Sequence, residues 1–346
     1  MADNEPNLES QVSDEKTAGV KKADEVVAIP KPSLISWLKQ HPVETTLLLV
    51  IGAVLTYFYG FWEFFGNRRE LSPIMWMWKV CAKEEFDYRH GHLIPLIIVG
   101  LLWYRWPKLV AAKKRSEWWG LAIAIIGILF FVMAARVVQA RVAAGSLPIV
   151  AFGLIAYIWG RHVARYLFFP CCLIYFAIPL PGLMQATTQL QVFSTQIASL
   201  VGGVFGIELH AVGSKIQSVP EGKWNFQVDE GCSGIRSLVA LTLIAAIYGH
   251  LTQDKLWKKI LLIASALPLA VLANAGRVST IVLIAEFIDV KFAASTYHNW
   301  SGFVFFLLFG LSGLLFLAFL INGGLKKLGR RKGAVSVVQK GGAAAS

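Results

Sequence analysis

Three residues that lie far apart in the sequence carry side chains suited to acyl transfer. Cys232 stands at the head of one apolar run, and Arg277 and His298 lie at the ends of others. A thiolate is a nucleophile, an imidazole exchanges protons near neutral pH, and a guanidinium is a permanent cation that can donate to an oxyanion. If the fold brings them together, they have the chemistry of a cysteine peptidase or transpeptidase.

The composition places these residues in a membrane protein. Of 346 residues, 56% are hydrophobic and 16% are charged, and the mean hydropathy is +0.57. Soluble domains contain about 25% charged residues. Several apolar runs reach the roughly 20 residues that a helix needs to cross a bilayer. The sequence therefore predicts an all-α polytopic membrane protein.

The net charge of +12 does not indicate nucleic-acid binding. Most Lys and Arg residues lie in short loops beside apolar runs, which is the distribution that sets membrane topology against anionic lipid. We therefore expect membrane lipid as the partner of these cations and no nucleic acid.

The cysteines and histidines show no metal-binding spacing. The four cysteines are Cys81, Cys171, Cys172 and Cys232, and neither a CxxC pair nor an HExxH motif occurs. We expect no metal and no cofactor. Cys171 and Cys172 lie in an apolar run, where cysteine is usually a small buried hydrophobic residue. Cys81 lies in a predicted outer loop, and the sequence leaves open whether it is free or paired.

Hydropathy predicts about eight transmembrane helices in a domain that covers residues 44–329. Residues 1–43 and 330–346 are predicted to be disordered cytoplasmic tails, the second of them basic. The predicted spans are residues 44–65, 93–107, 118–138, 146–160, 164–180, 233–249, 256–273 and 300–321.

The distribution of basic residues predicts that both termini are inside. Residues 108–115, 255–259 and 326–332 carry most of the loop Lys and Arg, whereas the mixed charges of residues 66–92 count against this orientation. Cys232, Arg277 and His298 then share the outer face. Residues 278–290 are apolar but too short for a round trip, and they are predicted to form a re-entrant or interfacial helix.

The longest outer segment precedes Cys232. Residues 183–206 have apolar side chains at helical spacing, as in an amphipathic surface helix. Residues 215–219 and 224–229 flank a Pro-Glu-Gly turn and predict a small extracytoplasmic β-hairpin. A tight turn from this hairpin into the next helix would display the thiol at a helix N-terminus, which favours the thiolate.

Each of these residues also has a structural interpretation. A cysteine at a helix start is often structural, an interfacial histidine is often only amphipathic, and an arginine that ends a span often anchors the helix. From the residues alone, a shared functional site and separate structural roles both remain open. A non-enzymatic transporter or assembly factor for surface polysaccharide is the alternative function, and the missing HExxH motif disfavours a metalloprotease.

The motifs around these residues resemble those of the exosortase/archaeosortase family of membrane transpeptidases. The resemblance rests on residues 230–238 (EGCSGIRSL), on residues 274–278 (NAGRV), and on His298 followed by Gly302 before the last span. It covers residues 44–329. The first motif is specific, and the other two carry weight in combination with it.

The resemblance implies a mechanism and a substrate class. Cys232 would be the nucleophile, His298 the acid and base, and Arg277 the group that stabilises the transition state. The substrates would be exported proteins that end in a short Pro-Glu-Pro-like motif, an apolar span and a basic tail, often alongside exopolysaccharide production. The location would be the bacterial inner membrane, with the active site on the periplasmic face.

Four further residues in these motifs are assigned to substrate binding: Arg236, Glu230, Ser233 and Asn274. Arg236 lies about one turn into an apolar helix, where an unpaired charge is costly. Asp229, Glu230 or a substrate carboxylate could pair with it.

Overall fold

The computed structural model describes residues 33–62, 72–83, 88–179, 183–219, 224–227 and 234–324. In the range 183–219, the side chains are described from residue 188 onwards. The helices in these ranges are α1 (Leu34–Gln40), α2 (Pro42–Phe61), α3 (Pro73–Ala82), α4 (Arg89–Ala111), α5 (Trp118–Val137), α6 (Ala140–Trp159), α7 (Arg161–Leu173), α8 (Leu183–Val204), α9 (Ile235–Thr252), α10 (Leu256–Phe287) and α11 (Val290–Ile321).

The all-α polytopic fold class is confirmed. Within the described residues, seven helices are long and apolar enough to cross a bilayer: α2, α4, α5, α6, α9, α10 and α11. The prediction of about eight spans differs at residues 164–180. They form α7, which has 13 helical residues before a 3₁₀ turn at Ile174–Ala177. Because α7 is only about 20 Å long, it is shorter than the roughly 30 Å apolar core of a bilayer.

The predicted re-entrant helix at residues 278–290 is wrong. α10 is continuous over 32 residues, from Leu256 to Phe287, and residues 278–287 are its last turns. Asn274 and Arg277 suggested the end of a span, but both side chains are buried within the helix. Their polar groups have hydrogen-bond partners on other helices, so the helix does not need to end there.

Three other spans extend beyond their predicted limits. Residues 93–107 belong to α4 (Arg89–Ala111), which continues past Pro107, and residues 146–160 belong to α6 (Ala140–Trp159). The last span begins at Val290 rather than at residue 300. The helix α1 lies within the segment predicted as an N-terminal tail, and residues 1–32 lie outside the described residues.

Two sets of helices pack closely. In the first, α5 and α6 lie so close that a Cβ on Gly153 would be 2.4 Å from the backbone nitrogen of Ala124. In the second, α9, α10 and α11 share an apolar core whose members include Leu241, Leu262 and Leu314. Small residues that let backbones approach are typical of packing between membrane helices.

The predicted β-hairpin is confirmed and belongs to a three-stranded antiparallel sheet. Strand β2 (Lys215–Ser218) pairs with β3 (Asn225–Gln227), and the preceding strand β1 (Leu209–Val212), which was not predicted, pairs with β2. The sheet packs against the last turns of α10 through an apolar cluster that contains Ile216, Trp224, Val278, Val282 and Ala285.

The predicted helix at residues 183–206 is present as α8, but its polar side faces the protein. Gln191, Ser194 and Thr195 are buried against the rest of the chain, whereas Phe193 and Leu200 are exposed. An apolar outer side suits a helix that lies in or beside lipid.

Cys81 lies in α3 and not in a loop. Its side chain is 1% exposed, and its thiol donates to the Ala177 carbonyl at 3.4 Å. Burial raises the pKa of Cys81 to about 11. Among the described residues, Cys81, Cys171 and Cys172 are free thiols.

The raised pKa predicts that Cys81 reacts slowly with alkylating reagents. In a variant with Cys171, Cys172 and Cys232 replaced by alanine, iodoacetamide at pH 8 should label the folded protein at least about 100-fold more slowly than the SDS-unfolded protein. Because the thiolate is the reactive form, the rate should rise about tenfold per pH unit up to about pH 11. Equal rates for folded and unfolded protein at pH 8 would contradict the burial of this thiol.

Candidate active site

A cavity of about 370 Å³ lies between α9, α10 and α11. Its lining residues are Gly234, Arg236, Ser237, Ala240, Ala273, Asn274, Arg277, Asn299, Gly302, Phe303, Phe305 and Phe306. The polar members lie near the start of α9 and at the level of Arg277, and the phenylalanines lie further along α11. The cavity is therefore polar at one end and apolar at the other.

Arg277 and His298 meet beside this cavity. Arg277 is 9% exposed, and its guanidinium Nη2 donates to the His298 carbonyl at 2.9 Å. The same Nη2 lies 3.5 Å from His298 Nε2. Arginine has no acceptor, so a hydrogen bond between these atoms requires Nε2 to carry no proton. An unprotonated imidazole nitrogen is the form that acts as a general base.

Ser301 and Gly302 fix the orientation of the Arg277 guanidinium. Arg277 Nε donates to Ser301 Oγ at 3.1 Å, and Ser301 Oγ in turn donates to the His298 carbonyl at 3.1 Å. A Cβ on Gly302 would lie 3.3 Å from Arg277 Cζ, which is tighter than ordinary contact. A glycine at this position therefore leaves room for the guanidinium.

Asn274 connects α10 to α8 and to the start of α9. Its Nδ2 donates to Ser194 Oγ at 2.9 Å, and both residues are buried. Gly234 has φ +77°, a left-handed conformation that strongly favours glycine. A Cβ on Gly234 would also lie 2.9 Å from Asn274 Cβ. These contacts hold the N-terminus of α9 against α10.

A second set of contacts holds α10 and α11 together just beyond Arg277. Tyr297 donates its hydroxyl to Thr280 Oγ1 at 2.7 Å, and Thr280 Oγ1 donates to the Arg277 carbonyl at 2.8 Å. Further along α10, Trp224 Nε1 of the sheet donates to Glu286 Oε2 at 2.8 Å. Arg277 thus lies in a part of α10 that is hydrogen-bonded to α8, to α11 and to the sheet.

The structure brings together four of the residues that the sequence singled out. Arg236, Asn274 and Arg277 line the cavity, and His298 contacts Arg277. Arg236 is exposed on the first turn of α9. Cys232, Glu230 and Ser233 lie outside the described residues.

The sequence analysis missed Ser301, Ser194 and Asn299. Ser301 follows His298 by three residues, which is the spacing of neighbours on one helix face, so it had a weak signal. Ser194 had none, because its contact with Asn274 joins residues 80 positions apart. Asn299 lines the cavity and follows His298 directly.

The site lies about one bilayer thickness from the other end of α10. Lys258 Nζ donates to the Ile321 carbonyl at 3.1 Å, so the start of α10 and the end of α11 are level. Arg277 follows Lys258 by 19 residues, which is about 28 Å along a helix. This length is close to the roughly 30 Å of a hydrocarbon core, so one boundary of the apolar layer falls near Arg277 when the other is at Lys258.

The arrangement offers hydrogen-bond donors more than metal ligands. Arg236, Arg277 and Asn274 line the cavity near the N-terminus of α9, whose free N–H groups carry partial positive charge. Over the described residues, no group of three or more His, Cys, Asp or Glu side chains converges. Such donors stabilise negative charge that develops on a substrate.

The fold and this cluster define a polytopic membrane protein with an Arg–His site at one end of its central helices. A model of the transmembrane exosortase family matches residues 78–317, which is more than two thirds of the chain. The chain therefore belongs to the transmembrane exosortase family. Comparisons with curated proteins and with solved structures gave no match.

Removing the Ser301 hydroxyl should destabilise the fold. Ser301→Ala leaves the buried Arg277 Nε without this acceptor, and a hydrogen bond to a charged group contributes about 1.5–3 kcal/mol. The free energy of unfolding, measured by SDS titration in mixed micelles, should fall by about that amount. Ser301→Thr keeps the hydroxyl and should recover most of the loss.

Ser279→Ala is the matched control for this measurement. Ser279 is also buried, but its hydroxyl donates only to the Ala275 carbonyl of its own helix at 2.8 Å. Its removal should cost less than about 1 kcal/mol. Equal losses for the two alanine variants would show that Ser301 does not stabilise the guanidinium.

Proposed function

We propose that this protein is a cysteine transpeptidase that cleaves the C-terminal sorting signal of exported proteins and transfers the new acyl end to an acceptor. The observation that supports this most is the contact of Arg277 with His298 at the edge of a cavity beside Gly234. Processing of sorting signals is the general role of the family to which the chain belongs.

Chain connectivity limits how far Cys232 can be from this cavity. Two peptide units separate Cys232 from Gly234, so the two Cα atoms are at most about 7 Å apart. Gly234 itself lines the cavity and contacts Asn274. The proposal therefore has Cys232 as the nucleophile, with its thiolate favoured by the N-terminus of α9 and by Arg277 and Arg236.

In the proposed reaction, His298 first takes the proton of the Cys232 thiol, and the resulting thiolate attacks the carbonyl carbon of the scissile peptide bond. The resulting oxyanion accepts hydrogen bonds from Arg277, whose orientation Ser301 fixes. The carbon–nitrogen bond breaks, and His298 gives its proton to the leaving amine, which leaves a thioester. An acceptor amine, hydroxyl or water then loses its proton to His298 and attacks the thioester, and the Cys232 thiolate is released.

We assign substrate binding to Arg236, Asn274, Glu230 and Ser233. Arg236 and Asn274 line the cavity and can donate to a substrate carboxylate or peptide carbonyl. Glu230 and Ser233 belong to the same motif as Cys232. The substrates in this proposal are exported proteins with a short recognition motif, an apolar span and a basic tail.

We place the site at the periplasmic face of a bacterial inner membrane. The Lys258 end of α10 also carries Lys255 and Lys259, and the segment after α11 is rich in Lys and Arg. Basic residues accumulate on the cytoplasmic side, so the Arg277 end is the outer one.

A transporter for surface polysaccharide is the weaker alternative. A transport path must connect both membrane faces, whereas on the Lys258 side of the cavity α9, α10 and α11 pack around Leu241 and Leu314, which are fully buried. Arg277 lies near one boundary of the apolar layer and not at mid-depth.

Replacing the proposed nucleophile should abolish processing. The probe is an exported reporter that ends in a Pro-Glu-Pro motif, an apolar span of about 20 residues and a basic tail. Cys232→Ala should lower its processing rate by more than about 1,000-fold, because the thioester cannot form. The first readout is the ratio of cleaved to intact reporter on a gel. The second is the acylated enzyme, which is recognised because hydroxylamine releases the acyl group from its thioester.

Cys172→Ala is the control for the loss of a thiol. Cys172 lies in α7, whereas α9, α10 and α11 line the cavity. This variant should process the reporter within about threefold of the parent rate, as most substitutions outside an active site do. Normal processing by Cys232→Ala would refute the proposed function.

A further inference from the structure

The cavity is a cleft between α9 and α11 with α10 as its back wall. Ala240 lies on one side, Phe303 and Phe306 lie on the other, and Ala273 lies at the back. Phe303 is 60% exposed, so the cleft opens on the side away from α10. Arg236 and Asn299, which line the polar end, are exposed as well, so the cleft is open sideways and also at the end that holds Arg277.

The cleft closes abruptly towards the Lys258 end. A Cβ on Gly310 would lie 3.6 Å from Leu241 Cδ2, so α9 and α11 are in contact there. Leu241 is the residue after Ala240, and a wide π-helical turn at Phe306–Leu311 lies between the open and the closed part of α11. A π-helical turn is often found at a functional site, where it changes the direction of side chains.

The apolar part of the cleft lies at membrane depth. Ala273 is four residues from Arg277, and Phe306 is eight residues from His298. These separations are about 6 and 12 Å along a helix, measured from the site towards the Lys258 end. The sideways opening therefore reaches the outer half of the apolar layer that begins near Arg277.

We propose that the cleft between α9 and α11 receives the first turns of a substrate's transmembrane helix from the lipid, so that the peptide bond beside that helix reaches Arg277 sideways. This inference rests on the proposed function. The occupant must be apolar where it meets Ala240, Phe303 and Phe306, and polar where it meets Asn274 and Arg277. Within lipid only a helix satisfies its own backbone, so a helix end followed by an extended polar segment fits this gradient.

Site-directed photocross-linking tests the inference directly. p-Benzoylphenylalanine replaces Phe303 in the Cys232→Ala protein, which cannot consume the reporter described above. Irradiation in proteoliposomes should give a cross-link from position 303 to the first two turns of the reporter's apolar span, identified by mass spectrometry. A cross-link yield no higher than that of the control position would overturn the inference.

Phe316 is the matched control position. It lies on the same helix, is also 60% exposed, and follows Phe303 by 13 residues, beyond the point where the cleft closes. Its side chain is equally exposed, but it does not line the cleft. The yield from position 316 should be at least about fivefold lower, since the two positions differ mainly in access to the cleft.

A second variant tests the same cleft without a photoreactive group. Ala240→Trp fills the cleft and should lower reporter processing at least about tenfold, because overpacking displaces an occupant of similar size. Ala122→Trp, at an exposed position on α5, should stay within about twofold of the parent rate. Full processing by a monodisperse Ala240→Trp protein would count against the cleft.

The outcomes separate this inference from the proposed function. If Cys232→Ala stops processing but positions 303 and 316 cross-link equally, the catalytic proposal stands and the cleft proposal falls. If Cys232→Ala still processes the reporter, the catalytic proposal falls, and the cleft proposal falls with it because it describes the route to that reaction.

Discussion

The burial of Arg277 is the constraint on which the site depends. The side chain is 9% exposed in a helix with mostly apolar neighbours, and leaving a buried charge without partners costs several kcal/mol. α11 supplies Ser301 Oγ and the His298 carbonyl as acceptors, and Gly302 leaves space for the guanidinium. Because these acceptors lie within one turn of α11, satisfying the arginine also fixes the register of α10 against α11. The imidazole of His298 is then held beside the guanidinium.

α10 extends well beyond the contact between Arg277 and His298. About 28 Å of α10 separates Lys258 from Arg277, and the helix continues for ten more residues to Phe287. Beyond the apolar layer these turns need another cover, which the three-stranded sheet and α8 provide through Ile216, Trp224 and Ala198. The small sheet thus stabilises the projecting ends of the two helices that hold the arginine and the histidine.

Composition and spacing predicted the helical membrane fold and the β-hairpin. The expectation that Arg277 meets His298 came from the motif resemblance, because the residues alone left separate structural roles open. The sequence did not predict that α10 is continuous, because hydropathy treats Asn274 and Arg277 as the end of a span. Their burial depends on Ser194 and Ser301, which lie far away in the sequence or have no distinctive pattern. Strand β1 was missed because its four residues, LHAV, are too few to show alternation and mostly exposed.

The electrostatics and the shape of the cavity both fit the proposed acyl transfer. The N-terminus of α9, Arg236 and Arg277 all contribute positive potential, which stabilises a reaction in which negative charge develops. Acyl transfer through a thioester forms an oxyanion twice, once when the thioester forms and once when it is consumed, whereas moving a polymer across a membrane forms none. Leu241 and Gly310 close the cavity towards the Lys258 end, so the proposed substrate chain would be held at one membrane boundary. Under the proposed function, a site that holds a chain there and stabilises an oxyanion would cut and join that chain, and would not move it through the bilayer.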